Sequence, residues 1–62
     1  MKKIRELRIQ KGLSYGQVAK ATKTSPNSIM YYEIGQYTPT NETLMKLSKL
    51  YEVDFDEIKT MI

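Results

Sequence analysis

Apolar residues recur every three or four positions along most of the chain, which is the spacing of one face of an α-helix. The longest stripe predicts a helix that begins after Thr40 or Asn41 and ends near Glu52. Its apolar positions are Leu44, Leu47, Leu50 and Tyr51. No segment has the alternation that a strand requires, so the pattern predicts an all-α fold.

Two shorter helical patterns follow one another between residues 13 and 35, separated only by a very short break. The first helix begins near Tyr15, because Ser14 can cap it while Gln17, three residues later, completes a capping box. Its inward positions are Val18, Ala19 and Thr22. The small alanine among them allows the close helix crossing that such a short connection imposes.

The second of these patterns predicts a helix over Pro26–Ile34. Ser25 is placed as its N-cap, and Gly35 fits a left-handed C-cap. Since Ile29 and Tyr32 face inward, the outward or lateral positions are Asn27, Ser28 and Tyr31. Two helices joined so closely must cross steeply and leave the second one on the surface, which is the geometry of a helix-turn-helix unit that contacts DNA.

Two further helices complete the pattern. The first helix of the chain is predicted over Lys3–Lys11, with Gly12 as a C-cap. The last one is opened by Asp54, whose spacing to Glu57 resembles a capping box. Its apolar residues are Phe55 and Ile58. The sequence therefore predicts five helices.

The order and spacing of these segments resemble the Cro and phage-repressor family of helix-turn-helix domains, also called the XRE family. The segments are weak singly and specific together, and they cover nearly the whole chain. They are IRELRIQKGLS from Ile4 to Ser14, Val18 and Ala19, Ser25, Ile29, Tyr32 and Glu33 before Gly35, PTNETLMKLSKLYEV from Pro39 to Val53, and the following DFDEI. The resemblance implies a compact five-helix bundle of the lambda-repressor-like type that binds double-stranded DNA through helices two and three.

Docking as in this family implies that the N-terminal turns of helix three enter the major groove. The base-contacting positions are then Pro26, Asn27, Ser28 and Tyr31. The Asn27 amide can pair bidentately with adenine, whereas Pro26 can offer only apolar contact, for instance to a thymine methyl. The alternative for Asn27 is that it only favours the start of the helix.

The resemblance also implies phosphate contacts from the starts of helices two and three and from the loop after helix three. By position these residues are Ser14, Tyr15, Gln17, Lys23, Ser25, Gln36, Tyr37 and Thr38. Free N–H groups and the positive end of the helix dipole attract anions at helix starts. Ser14 and Ser25 are expected to cap their helices whether or not they also contact phosphate.

Arg8 and Glu33 match an arginine of helix one and a glutamate of helix three that the family often pairs. A partly buried ion pair would hold helix three against helix one, and removal of one partner would leave the other charge unpaired. An exposed Arg8 that contacts phosphate is the competing interpretation, and the two interpretations are compatible.

Several positions depart from the family pattern. Tyr15, followed by Gly16, occupies a place where glutamine is usual, and Lys23 stands in a turn that usually holds glycine. Lysine adopts a left-handed conformation only at a cost of about 1 kcal/mol or more, so this turn is either strained or built differently. Helix three contains no arginine or lysine, so guanine readout by that helix is not expected.

The net charge of +3 is unevenly distributed along the chain. Residues 1–49 contain nine basic and three acidic residues, a net charge of +6, whereas residues 50–62 contain one basic and four acidic residues, a net charge of −3. A surface that binds phosphates would produce such polarity. Lysines that only solvate helix faces are the simpler alternative.

The composition argues against catalysis and metal binding. Without cysteine or histidine the chain has no thiol chemistry, no disulfide and no cysteine-ligated metal site, and it lacks the commonest general base. No apolar run approaches the ~20 residues of a membrane span. We therefore expect a cytoplasmic, non-enzymatic protein with no cofactor, no membrane association and no small-molecule ligand.

Members of this family generally act as dimers on inverted repeats, often as repressors, so the resemblance implies a homodimer. The candidate dimer residues surround helix five and are Tyr51, Phe55, Met61 and Ile62. For Phe55 and Ile58 the core of a single subunit is the favoured alternative, whereas Met61 and Ile62 are favoured for the interface.

A second hypothesis is a helix-turn-helix domain that mainly binds another protein, such as an antagonist or a toxin. This role would require an exposed apolar surface, because methionine and tyrosine are enriched at interfaces. The candidates for it are Met30, Tyr31, Ile34 and Tyr37.

Overall fold

The computed structural model describes residues 1–62 and contains five α-helices and no strand. The helices are α1 (Ile4–Gln10), α2 (Tyr15–Thr22), α3 (Pro26–Ile34), α4 (Asn41–Tyr51) and α5 (Phe55–Ile58), and a 3₁₀ turn (Lys59–Met61) follows. The predicted all-α fold is confirmed, and α1 is one residue shorter at each end than the pattern indicated. No helix is long and apolar enough to cross a membrane.

Polar caps determine where α2, α3 and α4 begin. The Ser14 hydroxyl accepts from the Gln17 N–H at 3.1 Å while the Ser14 N–H donates to Gln17 Oε1 at 2.8 Å, so the predicted capping box is present. Ser25 caps α3 by accepting from the Ser28 N–H at 3.2 Å. Thr40 caps α4 in the same way. These bonds satisfy N–H groups that have no partner within the helix.

The predicted capping box at α5 is wrong. The Asp54 side chain makes no capping hydrogen bond, and both Asp54 and Glu57 are exposed. The helix consists of a single turn, and water can reach its first N–H groups. Two neighbouring carboxylates of like charge also gain nothing by approaching each other, so the side chains remain in solvent.

The core is one cluster to which all five helices contribute. Its members are Ile4, Val18, Ala19, Ile29, Leu44, Leu47, Tyr51 and Ile58. α2 packs against both α3 and α4, and α4 packs against α5. The 2% exposed Ala19 belongs to the helix that contacts both neighbours, as a close crossing requires.

The turn between α2 and α3 is built on a left-handed lysine. Lys23 has φ 56° and ψ 42° and ends α2, a conformation that places its Cβ too close to the next carbonyl oxygen. Gly35 takes the same role after α3, with φ 82°, and Gly12 follows α1 with φ 67°. The α2–α3 turn thus keeps the left-handed conformation that glycine usually provides. Lys23 adopts this conformation at the cost of backbone strain.

We predict that Ala19→Leu destabilises the fold by about 1–3 kcal/mol, because the added atoms must be forced between closely packed helices. The matched control is Ala21→Leu, since Ala21 is exposed on the same helix. Urea denaturation followed by circular dichroism measures both free energies of unfolding. Equal effects of the two substitutions would contradict the close crossing at Ala19.

We predict that Lys23→Gly stabilises the fold by about 0.5–1 kcal/mol. Glycine relieves the left-handed strain, and part of this gain is offset by the greater freedom of glycine in the unfolded chain. Lys20→Gly, which removes the same charge type from within α2, should instead destabilise by about 1 kcal/mol. Thermal unfolding shows whether the two substitutions have these opposite signs, and a loss of stability in both would contradict the interpretation.

Candidate nucleic-acid interface

The inner side of α3 is fixed by two fully buried residues, Ile29 and Glu33, which are 2% and 1% exposed. These positions are four apart and therefore lie on one side of the helix. The opposite side is formed by Asn27, Tyr31 and Ile34. Asn27 and Ile34 are exposed and Tyr31 is half-buried, so α3 presents an accessible surface along its length.

Some polar side chains at the start of α3 are hydrogen-bonded within the protein, and others are free. The Ser28 hydroxyl lies 2.9 Å from the Ser25 hydroxyl, which also accepts from the Ser28 N–H. The Ser28 hydroxyl is therefore hydrogen-bonded within the cap, and the residue is half-buried. Pro26 and Asn27 are exposed, and no hydrogen bond within the protein engages the Asn27 amide. Asn27 is thus the free hydrogen-bonding side chain at this end of the helix.

The buried side chain of Glu33 is paired with Arg8 of α1. Arg8 Nε and Nη2 donate to the two Glu33 carboxylate oxygens at 2.7 and 3.2 Å, and Arg8 Nη1 donates to the Leu13 carbonyl at 2.8 Å. The two side chains are 11% and 2% exposed. The hydrogen bond to Glu33 raises the pKa of Arg8 above its usual value. The ion pair expected from the resemblance is therefore present and holds α3 against α1.

Arg8 is not an exposed phosphate contact, because its side chain is only 11% exposed. Each of its three side-chain nitrogens donates to a protein oxygen, and the Tyr15 ring covers the guanidinium with its centroid 4.3 Å from Cζ. The interpretation of Arg8 as an exposed phosphate contact is wrong. Tyr15, at the position where the family usually has glutamine, instead shields the ion pair, and such stacking suits the planar guanidinium.

Tyr51 is a core residue and not a surface residue. It is 5% exposed, and burial, with a smaller contribution from Glu33, raises the pKa of its phenol to about 12. The phenol stays neutral beside the ion pair at any physiological pH. Its expected place in a dimer interface is wrong, because the apolar stripe of α4 turns this ring towards the centre of the bundle.

The remaining phosphate candidates surround the starts of α2 and α3 and the loop after α3. All except Tyr15 are exposed, namely Ser14, Gln17, Lys23, Ser25, Gln36, Tyr37 and Thr38. The Ser14 and Ser25 hydroxyls already act as caps. Gln17 also uses its side-chain oxygen in the capping box, which leaves its NH₂ group free.

Lys2 is a basic residue at this surface that the sequence did not single out. Its backbone N–H donates to the Glu33 carbonyl at 2.7 Å, and its side chain lies so close to Gly35 that an added Cβ would be 2.8 Å from Lys2 Cε. The amino group therefore lies beside the C-terminal end of α3, where the helix dipole favours a cation. Its place among three basic residues near the N-terminus was the only signal in the sequence.

Comparison with known proteins identifies the family to which this fold belongs. A family model described as helix-turn-helix matches residues 4–58. The chain belongs to this helix-turn-helix family, of the Cro/C1 type. The cryptic phage CTXphi transcriptional repressor RstR of Vibrio cholerae is 38% identical to it over 56 residues, which are 90% of the chain and 50% of RstR. No solved structure matches the chain significantly.

A second relative is a putative HTH-type transcriptional regulatory protein of Aeropyrum pernix, 45% identical over 56 residues, or 90% of the chain and 16% of that protein. The chain thus spans half or less of the length of these curated relatives. Proteins of this helix-turn-helix family regulate transcription by binding DNA and are not enzymes. The chain is accordingly a helix-turn-helix domain of this non-enzymatic family of transcriptional regulators.

We predict that Glu33→Ala destabilises the fold by about 3–5 kcal/mol, since it leaves the largely buried guanidinium of Arg8, whose side chain is 11% exposed, without its partner. Glu42→Ala is the matched control, because Glu42 is exposed and its pair with Lys46 spans 3.7 Å at the surface of α4. The control should change stability several times less. Chemical denaturation of the two variants measures the difference, and equal midpoints would show that the buried pair does not hold α3 in place.

Proposed function

We propose that this domain is a sequence-specific regulator of transcription that places the N-terminal half of α3 in the major groove of double-stranded DNA. The observation that carries the proposal is the accessible outer side of α3, where the Asn27 amide is free while Glu33 on the inner side ties the helix to α1. Because its inner side is held against α1, α3 can place its outer side chains at a defined depth in the groove. Membership of the helix-turn-helix family supports this placement.

The base-contacting residues proposed are Pro26, Asn27, Ser28 and Tyr31. Asn27 has the donor and acceptor that pair bidentately with adenine, an interaction that contributes about 1–3 kcal/mol of discrimination. Pro26 supplies apolar contact. The Ser28 hydroxyl would contact a base with the donor or acceptor capacity that its bond to Ser25 leaves free. With no basic side chain on α3, a half-site containing A·T pairs is expected.

The DNA backbone is proposed to lie along the exposed starts of α2 and α3 and the loop after α3. The contacting residues would be Ser14, Tyr15, Gln17, Lys23, Ser25, Gln36, Tyr37 and Thr38. The excess of basic residues before residue 50 supports this orientation, because each neutralised phosphate releases counterions. The acidic C-terminal segment would then face away from DNA.

We infer that the domain acts as a homodimer on an inverted repeat, with two α3 helices about 34 Å apart. Phe55, Met61 and Ile62 are the candidate dimer residues that remain, since they are half-buried and incompletely covered within one subunit. A repressor role is proposed by analogy with RstR, whose name describes it as a transcriptional repressor. Access to DNA is compatible with a cytoplasmic location.

We predict that duplexes selected from a random library at about 150 mM salt contain an inverted repeat, and that Asn27→Ala loses sequence information within each half-site. The variant removes the only free amide on the outer side of α3. Asn41→Ala is the matched control, because Asn41 is an exposed asparagine at the start of α4. Sequencing of the bound pools should show the wild-type motif unchanged for this control.

Two results would contradict the proposal. Absence of any enriched sequence, with binding that disappears as salt rises, would leave only non-specific electrostatic attraction. An enriched motif that Asn27→Ala leaves intact would place the reading surface elsewhere.

A second candidate function is the binding of a protein such as an antagonist or a toxin. The observation that favours it is the exposed apolar surface at the C-terminal end of α3, where Ile34 and Tyr37 are 44% and 55% exposed. Met30 and Tyr31 are half-buried next to them. Capture of a specific partner by a domain that selects no DNA sequence would establish this role.

A further inference from the structure

Tyr37, in the loop after α3, is folded back onto Tyr31 in the helix. The Tyr31 carbonyl accepts from backbone N–H groups of the turn that follows α3, including those of Gln36 at 2.9 Å and Tyr37 at 3.3 Å. The two rings meet edge to face, with centroids 4.8 Å apart and planes inclined at 68°. A backbone hydrogen bond and the ring contact thus both hold Tyr37 against Tyr31. The Tyr31 ring therefore has a fixed neighbour on one side.

The segment that carries this pair has no exposed charge of its own. Between residues 25 and 38 the only charged residue is Glu33, which is buried and paired with Arg8. Tyr31 follows Asn27 by four residues on the outer side of α3, so the two positions lie about 6 Å apart along the helix axis. Two side chains this far apart on a helix in the major groove can reach different base pairs, since neighbouring base pairs are about 3.4 Å apart along the duplex.

An aromatic ring in the major groove has one apolar partner there. The base edges in that groove carry hydrogen-bond donors and acceptors, and the 5-methyl group of thymine is the exposed apolar group. A ring held in place also loses little side-chain freedom when it makes such a contact.

We propose that Tyr31 is a specificity-determining residue that contacts a thymine 5-methyl group near the adenine paired by Asn27, and that Tyr37 is the positioning residue that holds its ring. The inference rests on the proposed function, since it requires that α3 enter the major groove. It assigns the aromatic pair to DNA and not to a protein partner.

The test replaces thymine by deoxyuridine, one position at a time, in the duplex selected by the wild-type domain. This change removes only the methyl group. We expect wild-type affinity to fall about fourfold at one thymine in each half-site, the factor that corresponds to burial of one methyl-sized group. Tyr31→Ala should bind the thymine and uracil duplexes equally, while Tyr31→Phe should retain the fourfold difference because it keeps the ring.

Two further variants separate positioning from folding. Tyr37→Ala truncates an exposed ring outside the helices, and it should reduce the uracil effect at the same thymine without changing the melting temperature by more than Tyr31→Phe does. Asn27→Ala should lose discrimination at adenine and keep the uracil effect. If Tyr31→Ala fails to fold, the uracil scan of the wild type still tests the methyl contact, and Tyr37→Ala still tests the positioning role.

An unchanged uracil effect in Tyr31→Ala would overturn the thymine contact, and an unchanged effect in Tyr37→Ala would overturn the positioning role. Affinity that is insensitive to uracil at every position in the wild type would also overturn the proposal and leave the aromatic pair to the protein-binding role. These results require a selected duplex, so they are distinct from the failure of sequence-specific binding itself.

Discussion

The buried ion pair between Arg8 and Glu33 is the interaction on which the placement of α3 depends. It is bidentate, and the remaining nitrogen of Arg8 binds the Leu13 carbonyl at the approach to α2. The Lys2 N–H adds a bond to the Glu33 carbonyl. Apolar packing tolerates small shifts between helices, whereas a bidentate pair between planar groups has one favourable geometry. One residue of α3 therefore fixes how far the opposite side of the helix projects from the bundle.

This arrangement separates two kinds of interaction with DNA in the proposed complex. The outer side of α3 is uncharged, because Glu33 faces the interior and no other charged residue occurs between residues 25 and 38. Positive charge lies at the margins, on Lys2 beside the end of α3 and on Lys23 before its start. Attraction to phosphates is long-ranged and screened by salt, whereas discrimination among bases needs direct contact. In the proposed complex, the lysines at the margins would supply the attraction to phosphates, and the uncharged outer side of α3 would supply the discrimination among bases.

The sequence predicted what depends on near neighbours and on helical spacing. The caps at Ser14 and Ser25 lie within three residues of their partners, and they set the starts of α2 and α3 correctly. The strain at Lys23 was visible because glycine is usual in that turn. Local spacing misled at Asp54, where solvent competes with the cap. At Tyr51 the periodicity showed an apolar position but not whether the core or a second subunit covers it. The contacts of Tyr15 with Arg8 and of Tyr37 with Tyr31 could not be predicted, since they depend on how a loop or a second helix folds back in three dimensions.

The central claim is that the outer side of α3, fixed from within by Glu33, is the surface that contacts DNA. The most direct measurement is a titration of ¹⁵N-labelled domain with its selected duplex, followed by ¹H–¹⁵N correlation spectra. The largest amide shifts are expected at residues 14–17, 25, 27–31 and 36–38, with little change in the interior of α4. Shifts concentrated on α4 and α5, with the start of α3 unaffected, would contradict this claim.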